Sequence, residues 1–583
     1  MKKTKIVCTI GPASEDVDVL VKMINAGMDV ARLNFSHGTH EEHLQRIKNI
    51  REAEEITGIK IGLMLDTKGS EVRTHTMEND EIYLPYGKEV RISMTEVVGT
   101  PDKISVSFSE LINEVSVGTN ILIDDGLINI EVTSIDNDAN EIVTVVKNPG
   151  TLRNRKGVNV PNANLSLPSL TDQDIKDIKF GLAHGINFIA ASFVRRVEDV
   201  IEISGVLEAE NAENIHIIPK IENEEGYANI ESILKVSDGI MVARGDLGVE
   251  IPPEQVPIVQ KELIRACNKV GKPVITATHM LESMTEQPFP TRAEANDVAN
   301  AIFDHSDAVM LSGETAAGKY PVESVQTMAR IAITAENASN ELVAKPMYIE
   351  PQDITETIGQ TVSSAVNNLE IKTIVVTTGS GYTARMISKY RPDANIIAVT
   401  FSKEVAKRLK LQWGVTPIVS DQIESTDDMF KFAGEIAVQE NFAQLGDTII
   451  ITAGIPLGES GTTNLMKIQV IGEEVLLGEG IGDQSAVGKA VISDNLKEGL
   501  DDISAGDILI VKQTIPEIAD IKDKLAGLVI ENTGIANEAV ISGLSLNIPI
   551  IVGAKNAKEK IKNGETISLN AKRGVVYRGE VSM

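Results

Sequence analysis

Two short apolar segments near the middle of the chain end in charged side chains that could act together chemically. The segment IHIIPKIE ends in Lys220 and Glu222, and the segment DGIMVARGD ends in Arg244 and Asp246. Lys220 and Glu222 are two residues apart, so on a strand they share a face. Two cations and two carboxylates at the ends of buried parallel strands suggest a divalent metal ion beside a bound anion. The alternative is a pair of structural salt bridges at the rim of a barrel.

Two segments near the N-terminus end in oxygen-bearing side chains. In MDVARLNFSHG, residues Arg32, Asn34 and Ser36 alternate and face one way if the chain stays extended. The segment IGLMLDTKG ends in Asp66 and Thr67. Neutral oxygens together with one carboxylate could hold a monovalent cation. The alternative, which composition alone favours, is an ordinary cluster of hydrogen-bonded turns.

Further polar side chains lie at the ends of similar segments: Ser192, Thr276, Thr278, Ser312 and Glu314. The combined set suits phosphoryl transfer, in which Lys, Arg and a metal ion neutralise the transferred group without a protein nucleophile. No Ser-His-Asp or Cys-His constellation is evident. The histidines, among them His37, His40 and His43, lack the spacing of a metal site.

The elements that position these residues form a regular series. Eight short apolar segments, each followed by a helical pattern, predict a (β/α)8 barrel whose site lies at the carboxyl ends of the strands. A doubly wound sheet is the alternative source of repeated βα units. The predicted strand segments are 5–14, 28–38, 61–69, 187–194, 215–222, 238–246, 272–280 and 307–315.

Three other regions interrupt or follow this series. Residues 70–168 contain only strand and turn patterns and predict a β domain inserted into a barrel of residues 1–69 and 169–344. Residues 345–473 predict an α/β domain with strands in TIVVTT, NIIAVT, DTIIITAG and KIQVIG. Residues 474–583 predict a small last domain with strands in ILIVKQ, GLVIEN, IPIIVG and TISLN.

Two Gly-rich loops of the α/β domain could bind an anion. The first, TTGSGYTAR at 377–385, joins a strand to a helix and suits a phosphate group, although it could be only a tight turn. The second is GIPLGESGTTN at 454–464. Two such loops in one domain favour a second anion site.

Composition limits the partners of the chain. Its 583 residues carry a formal net charge of −29, which disfavours nucleic acid and anionic membranes as partners. Only 3% of the residues are aromatic, so the cores must be aliphatic. The two cysteines, Cys8 and Cys267, form no CxxC pair. Since no signal sequence and no membrane-length apolar stretch is evident, we expect a cytoplasmic protein.

The chain resembles the pyruvate kinase family over about residues 1–473. The resemblance rests on motifs that occur in the family's order and spacing, namely KTKIVCTIGPAS, DVARLNFSHG, LDTKG, IAASFV, PKIEN, DGIMVARGDLGVEIP, PVITAT, TRAEANDVANAI and LSGETAAGKYP. It implies a TIM barrel, an inserted β-barrel lid domain and a C-terminal α/β effector domain. The last ~110 residues resemble the extra α/β domain of some bacterial members, which is related to the phosphohistidine domain of phosphoenolpyruvate-utilising enzymes.

The resemblance implies transfer of phosphate from phosphoenolpyruvate to ADP, giving pyruvate and ATP, by a homotetramer that needs Mg²⁺ (or Mn²⁺) and K⁺. Glu222 and Asp246 would hold Mg²⁺, and Arg32 and Lys220 would neutralise the phosphoryl group. The other implied contacts are Gly245 and Thr278 for the substrate, Asn34, Ser36, Asp66 and Thr67 for K⁺, Asn34, His37, Arg73 and Lys156 for the nucleotide, and Thr377, Thr378, Ser380, Gly381 and Thr383 for a phosphorylated effector. Glu71 occupies the position where glutamate accompanies potassium dependence. Arg244 is expected to support the rim and to fix Asp246.

Four positions depart from the family pattern. Ser70 stands where proline is usual, so lid closure is expected to be looser. His279 replaces a glutamine beside Thr278, and Phe289 replaces a basic or polar residue near a subunit contact. Glu538 replaces the histidine of the last domain, which argues against a phosphohistidine-using dikinase or synthase. A regulator that binds phosphoenolpyruvate without catalysis is the remaining alternative.

Overall fold

The computed structural model describes residues 2–161, 163, 165–342, 351, 353–421, 425–455, 463–493, 503–513, 520–532 and 547–581. The chain divides into two compact units. One comprises Met1–Gln352, Gly379–Arg391 and Thr400–Val419, and the other comprises Asp353–Thr378, Pro392–Val399 and Ser420–Met583. The domain boundaries given above stay predictions.

The first unit contains the predicted closed barrel of eight parallel strands. Each strand pairs with its neighbours in sequence, and the first pairs with the eighth. The strands are β1 Lys5–Thr9, β2 Val30–Asn34, β3 Gly62–Asp66, β4 Phe188–Ala191, β5 His216–Ile221, β6 Ile240–Ala243, β7 Val274–Ala277 and β8 Ala308–Leu311. The (β/α)8 prediction is therefore confirmed, and the doubly wound alternative is wrong.

The barrel interior is packed with aliphatic side chains and one aromatic ring. Val7, Met64, Phe188, Ile218 and Met241 are among the fully buried residues that fill it. Each such side chain contributes about 1.5–3 kcal/mol by leaving water. All strand residues except Asn34, His216 and Lys220 are buried, which is why the strands appear as apolar runs in the sequence.

Helices surround the barrel and follow its strands. They are Val17–Ala26, His40–Thr57, Asp172–Ala183, Val197–Ala209, Glu224–Ala228, Ile230–Val236, Arg244–Glu250, Val256–Val270, Arg292–Phe303, Gly313–Ala316 and Pro321–Leu342, with a 3₁₀ turn at Glu282–Thr285. Three begin with complete capping boxes, at Thr39, Thr171 and Thr291. Each box satisfies backbone N–H groups that the first helical turn leaves unpaired, so these helix starts are strongly specified by sequence.

The inserted segment between β3 and β4 is built of strands, as predicted. A six-stranded sheet has the order Val158–Asn159, Asn120–Ile123, Ile128–Asp136, Glu141–Asn148, Glu89–Ser93 and Lys103–Ser105, and a two-stranded sheet pairs Gly150–Arg153 with Glu81–Leu84. A 3₁₀ turn at Glu78–Asp80 and one helical turn at Leu111–Glu114 complete it. Its own aliphatic core includes Val90, Ile121 and Ile142.

The segments Gly379–Arg391 and Thr400–Val419 of the first unit contact the barrel at Asp307, just before β8. The Asp307 carboxylate accepts hydrogen bonds from Arg391 Nη1 (2.9 Å), Gln412 Nε2 (3.2 Å) and the Trp413 backbone N (3.2 Å). The elements here are the helices Tyr382–Ser388 and Lys403–Arg408, the 3₁₀ turn Leu409–Leu411 and the strand Val415–Val419. This end of the barrel is opposite the carboxyl ends of the strands, so these contacts serve stability.

The second unit contains two sheets and a few helices. Four strands are arranged in the order Asn395–Thr400, Thr373–Thr377, Thr448–Gly454 and Thr463–Val470, beside the helices Ile354–Leu369 and Thr426–Gln439. An eight-stranded sheet has the order Glu473–Leu477, Val575–Arg578, Thr566–Asn570, Ser485–Ser493, Asp507–Val511, Leu525–Ile530, Ile550–Val552 and Glu479–Ile481, with one helical turn at Ala557–Lys560 and a 3₁₀ turn at Lys522–Lys524.

Apolar runs predicted the strands of the second unit only in part. All four predicted strands of the first sheet are present, and so are the four predicted in the last domain. Glu473–Leu477, Glu479–Ile481, Ser485–Ser493 and Val575–Arg578 were not predicted. Within the described part of the chain, no helix is both long and apolar enough to cross a membrane.

Candidate active site

Lys220 lies at the centre of a buried ionic cluster at the carboxyl ends of the strands. Its Nζ is 3.2 Å from Asp66 Oδ1, 2.9 Å from Glu222 Oε1 and 2.9 Å from Ser192 Oγ. Arg32 donates from Nε to the other oxygen of Asp66 at 2.6 Å, and its Nη1 donates to Thr9 at 2.9 Å. The structure thus brings together Arg32 of β2, Asp66 of β3, Lys220 of β5 and Glu222, which directly follows β5.

The charges in this cluster determine one another's protonation. Burial disfavours the Lys220 ammonium, but the charges of Asp66 and Glu222 outweigh it and raise the pKa of Lys220 above its usual value. Burial also opposes ionisation of Asp66, yet Arg32 and Lys220 hold its pKa below the usual value. Lys220 therefore carries its positive charge at neutral pH.

Glu222 is the least stabilised carboxylate of the cluster. Burial is the main cause that raises the pKa of Glu222 to about 7, and the charge of Asp246 adds to it, while Lys220 opposes the rise. Its Oε2 accepts a hydrogen bond from the Phe193 backbone N at 2.6 Å. Its Oε1 is buried and receives no hydrogen bond from the described residues, although Lys220 lies beside it. Such an oxygen is suited to receive a cation.

Asp246 is the second of the two carboxylates that were predicted to bind Mg²⁺, the first being Glu222. It makes no hydrogen bond or ion pair with any residue that the structure describes, yet its charge acts on both Glu222 and Glu71. No group of three or more His, Cys, Asp or Glu side chains in the described ranges could hold a metal ion by itself. Two carboxylates, one of them unengaged, fit Mg²⁺, which takes one or two carboxylates and completes its shell with ligand oxygens and water.

Arg244 and Asp246 lie in a short helix rather than at the end of a strand. β6 ends at Ala243, and the helix Arg244–Glu250 follows at once. Arg244 Nη1 donates to Asp297 (2.7 Å) and Nη2 donates to the carbonyl of Thr278 (2.6 Å). Arg244 therefore supports the rim, as expected, but it anchors Thr278 and makes no described contact with Asp246, so the prediction that it fixes Asp246 is wrong.

Thr278 has an unusual backbone conformation. Its φ is +66°, a value that β-branched residues rarely adopt, and the following His279 has φ +54°. The Thr278 hydroxyl donates to the carbonyl of Ala277 (2.6 Å) and accepts from the backbone N of Gly245 (2.8 Å). Such strain persists only where surrounding contacts enforce it, which is typical of functional sites. Gly245 and Thr278, predicted to contact one substrate, are thus in direct contact.

The four predicted K⁺ ligands lie at the carboxyl ends of the neighbouring strands β2 and β3 or just beyond them. Asn34 of β2 is in register with Asp66 of β3. Asn34 Oδ1 accepts from the backbone N of Ser36 (3.1 Å), and the Thr67 carbonyl accepts from Ser192 Oγ (2.6 Å). These oxygens retain a second lone pair each, so the donor set fits a monovalent cation. The same hydrogen bonds are also expected if these residues form only an ordinary cluster of hydrogen-bonded turns.

Ser36 departs from the expected extended run. β2 ends at Asn34, and Ser36 lies exposed in the following turn, so Arg32, Asn34 and Ser36 do not alternate along one strand. His37, also exposed, continues the turn, and its carbonyl is 2.9 Å from His43 Nε2. His43 is buried and stacks on Phe35. The buried His43 therefore supports this turn.

The predicted nucleotide contacts Arg73 and Lys156 both belong to the inserted segment. Arg73 Nε donates to Glu71 (2.9 Å), and Lys156 Nζ is 2.9 Å from Asp124. The backbone brings the two residues together, since Thr74 N donates to the Lys156 carbonyl at 2.8 Å. Burial raises the pKa of Glu71, against the opposing charge of Arg73. The described residues show no contact between this pair and Asn34 or His37.

The first Gly-rich loop joins a strand to a helix, as the sequence predicted. Thr377 ends the strand Thr373–Thr377, and the helix Tyr382–Ser388 begins after Gly381, whose φ is +86°. Thr378 and Thr383 are buried. Ser380 accepts from the backbone N of Tyr382 at 3.4 Å. In the second loop, residues 456–462 lie outside the described residues, as does Glu538.

Two further residues belong to the cluster: Ser192, which the sequence placed at a strand end without a specific role, and Phe193, which was not predicted. Ser192 joins Lys220 to the carbonyl of Thr67, and the backbone N of Phe193, at a φ of +55°, hydrogen-bonds Glu222. The position directly after β4 indicated Ser192 and is the only signal that could have indicated Phe193. Of the residues that depart from the family pattern, Phe289 is exposed, and Ser70 Oγ is buried without a hydrogen-bond partner in the described chain.

The closed parallel barrel and the cationic, carboxylate-bearing site at its carboxyl ends define a (β/α)8-barrel protein suited to phosphoryl transfer. The family model described as "Pyruvate kinase, barrel domain" matches residues 1–325, and "Pyruvate kinase, alpha/beta domain" matches residues 356–469. The chain belongs to the pyruvate kinase family, which is a family of phosphotransferases. A third model, "PEP-utilising enzyme, mobile domain", matches residues 503–574.

Full-length relatives share this assignment. The chain is 55% identical to a pyruvate kinase of Bacillus licheniformis, 53% identical to one of Geobacillus stearothermophilus and 52% identical to one of Sporosarcina psychrophila. In each case the similarity covers 100% of both chains. The resemblance inferred from the motifs is therefore confirmed, and it extends through the last domain.

Proposed function

We propose that the protein transfers the phosphoryl group of phosphoenolpyruvate to ADP, forming pyruvate and ATP as the last step of glycolysis in the cytoplasm. The observation that carries the proposal is the buried cluster in which Lys220 faces Asp66 and Glu222. A transferring phosphoryl group needs fixed positive charge in a site shielded from water, and Lys220 and Arg32 supply it.

The reaction divides into two events at the substrate. An oxygen of the ADP β-phosphate forms a bond to the phosphorus, and the bond from phosphorus to the enol oxygen breaks. The electron pair stays on that oxygen, giving the enolate, which takes a proton at its terminal carbon to form pyruvate. Lys220 and Arg32 neutralise the group in transfer, while Gly245 and Thr278 contact the substrate. Thr278 is proposed to lie near the path by which the enolate receives its proton.

The carboxylates of Glu222 and Asp246 would hold Mg²⁺ or Mn²⁺ together with substrate oxygens. The bound ion supplies positive charge to the phosphoryl oxygens. Without it, burial and, to a lesser extent, the charge of Asp246 disfavour the ionised form of Glu222 and raise its pKa. Phe193 orients Glu222 by its backbone N–H, and the helix Arg244–Glu250 carries Asp246.

The remaining assignments are proposals that rest on the family. Asn34, Ser36, Asp66 and Thr67 would hold K⁺, and Asn34, His37, Arg73 and Lys156 would bind the nucleotide when the inserted segment closes over the barrel. Residues of the 377–383 loop would bind a phosphorylated effector. We propose a homotetramer as the assembly.

Glu71→Lys is expected to relax the requirement for K⁺. Glu71 is half-buried, and the negative charge of Asp246 contributes to its raised pKa. A lysine at this position therefore places a fixed positive charge close to Glu222 and Asp246, the proposed metal ligands. We expect the factor by which K⁺ stimulates turnover to fall by about tenfold or more. A tenfold change in rate corresponds to about 1.4 kcal/mol of activation free energy. The measurement is the steady-state rate with K⁺ and with a large organic cation in its place.

Glu78→Lys is the matched control for this change, because Glu78 is exposed in the same inserted segment. It reverses the same charge and should leave the K⁺ requirement as it is. If Glu71→Lys and Glu78→Lys respond to K⁺ alike, Glu71 has no part in the cation requirement.

One experiment separates the proposed function from its two alternatives. The protein is supplied with phosphoenolpyruvate, ADP, Mg²⁺ and K⁺, and pyruvate is measured by coupled reduction to lactate. Binding of phosphoenolpyruvate without pyruvate formation would identify a regulator. In a parallel incubation with ATP and pyruvate as the substrates, formation of AMP would identify a dikinase or synthase.

A further inference from the structure

A cavity of about 440 Å³, the hinge cavity, lies where the inserted segment joins the barrel, and it adjoins the site described above through Phe193 and Glu71. Its lining includes both chain connections of the inserted segment and the barrel loops after β4 and β5, but none of Arg32, Lys220, Glu222 and Asp246. Its volume is in the range of small-molecule pockets, which often form at such junctions.

One wall of this hinge cavity is apolar. Val72 and Val160 belong to the core of the inserted segment, Leu165 and Leu167 pack against that core, and Phe193 lines the cavity from the barrel. Val158 N donates to the Val72 carbonyl at 2.8 Å, so the two connections are tied together at the wall. An inorganic ion alone would leave this surface unused, whereas a small organic molecule would bury it.

The polar part of the cavity is strongly acidic. Its lining contains four carboxylates, from Glu71, Glu224, Glu225 and Glu250, and one cation, Arg195. Arg195 is already engaged, because its guanidinium donates to the carbonyls of Leu165 (2.6 Å) and Leu167 (2.7 Å). Phosphoenolpyruvate, nucleotides and sugar phosphates are all anions, so this cavity repels the ligands that the active site attracts.

Two carboxylates of the cavity are available to a cationic ligand. Glu224 makes no hydrogen bond or ion pair with the residues that the structure describes, and Glu250 accepts only the amide of Asn159 (2.8 Å) among them. Burial raises the pKa of Glu250, and the charges of Asp246 and Glu224 add to the rise. Ser70 Oγ, which also lines the cavity, is buried without a hydrogen-bond partner in that same part of the chain. A hydrogen-bond donor that enters the cavity would find acceptors in the carboxylate oxygens of Glu224 and Glu250 and in the hydroxyl oxygen of Ser70.

We propose that the hinge cavity is a binding site for a small organic cation, a primary ammonium carried on a short apolar body. The ammonium would lie between Glu224 and Glu250, and the apolar body would pack against Val72, Leu165 and Phe193. An occupant of this site contacts both connections of the inserted segment as well as the barrel loops. The site does not depend on the proposed catalytic function.

The test uses 2-phenylethylamine as the probe and 2-phenylethanol as its neutral counterpart, each titrated into the full-length protein by calorimetry. We expect the amine to bind in the millimolar range or tighter and the alcohol to bind at least about tenfold more weakly. Glu224→Gln with Glu250→Gln keeps an acceptor for Asn159 and should weaken the amine at least about fivefold. Glu254→Gln, an exposed position outside the cavity, is the matched control and should bind the amine like the wild type.

A second variant tests whether the amine binds in this cavity, by filling the cavity with a larger side chain instead of removing charge. Ala228 is exposed at the edge of the cavity, so Ala228→Trp fills space without removing core packing, and its melting temperature verifies the fold. We expect it to abolish binding of the amine. The proposal is overturned if the wild type does not bind the amine up to ~10 mM, if amine and alcohol bind equally, or if Ala228→Trp binds the amine unchanged.

Discussion

Lys220→Met is expected to lower the turnover number by about 10³-fold or more while phosphoenolpyruvate still binds. Methionine matches the length of lysine but carries no charge, so the phosphoryl group would lose the cation that faces it during transfer. The buried position of Lys220, with two carboxylates and Ser192 around its ammonium, means that water cannot replace that charge. Steady-state kinetics and equilibrium binding of phosphoenolpyruvate measure the two effects separately.

The matched control for this change is Lys235→Met, an exposed lysine of the helix Ile230–Val236. It should leave both turnover and binding unchanged. Because Lys220→Met leaves Glu222 without its ion-pair partner, the melting temperature must be recorded to exclude simple unfolding. A folded Lys220→Met protein with turnover within about tenfold of the wild type would contradict the assigned role.

Asp66→Asn is expected to destabilise the first unit by about 3–5 kcal/mol, the usual cost of removing one partner from a buried ion pair. Asp66 is 1% exposed and binds Arg32 through one oxygen and Lys220 through the other. Asparagine keeps the shape but loses the charge, so two buried cations would share only Glu222. Turnover should fall as well, because both cations lose their positions.

The only tryptophan of the chain provides the measurement for this prediction. Trp413 belongs to the first unit, where it is buried and its backbone N donates to Asp307, so its fluorescence during urea unfolding reports on that unit. Asp102→Asn is the matched control, since Asp102 pairs with Lys88 at the surface of the inserted segment and should cost no more than about 1 kcal/mol. Equal unfolding midpoints for Asp66→Asn and the wild type would show that the cluster does not stabilise the barrel.

The barrel could be predicted from the sequence because its strands carry a strong signal. Parallel strands that are buried on both faces appear as apolar runs, and the polar residue that ends each run marks the catalytic edge. Lys220, Glu222, Asp66 and Arg32 were identified in this way. Their mutual distances could not be predicted, because strand register and side-chain burial arise only when the barrel closes.

The misplacements at the site have local physical causes. Ser36 left the expected strand because the Asn34 side chain bonds the Ser36 backbone and forms a turn. A helix begins at Arg244 directly after β6, with no loop between them. The hydrophobic periodicity of the sequence does not reveal such a transition. Phe193 contributes a backbone N–H, and a backbone group cannot be inferred from residue type.

Strands of the last domain were missed for a different reason. Ser485–Ser493 has a mixed composition with exposed and half-buried positions, so it lacks a continuous apolar run. It forms strand structure because it lies between Thr566–Asn570 and Asp507–Val511, which supply partners on both sides. Tertiary pairing of this kind outweighs weak local propensity.

The most direct test of the central claim is to follow phosphorus by NMR while the protein acts on phosphoenolpyruvate and ADP with Mg²⁺ and K⁺ present. We predict that the phosphoenolpyruvate signal declines and the ATP γ-phosphate signal grows in equal amounts, with one pyruvate formed per ATP, and that a chelator of Mg²⁺ stops both. Release of inorganic phosphate without ATP, or persistence of phosphoenolpyruvate under these conditions, would contradict the account.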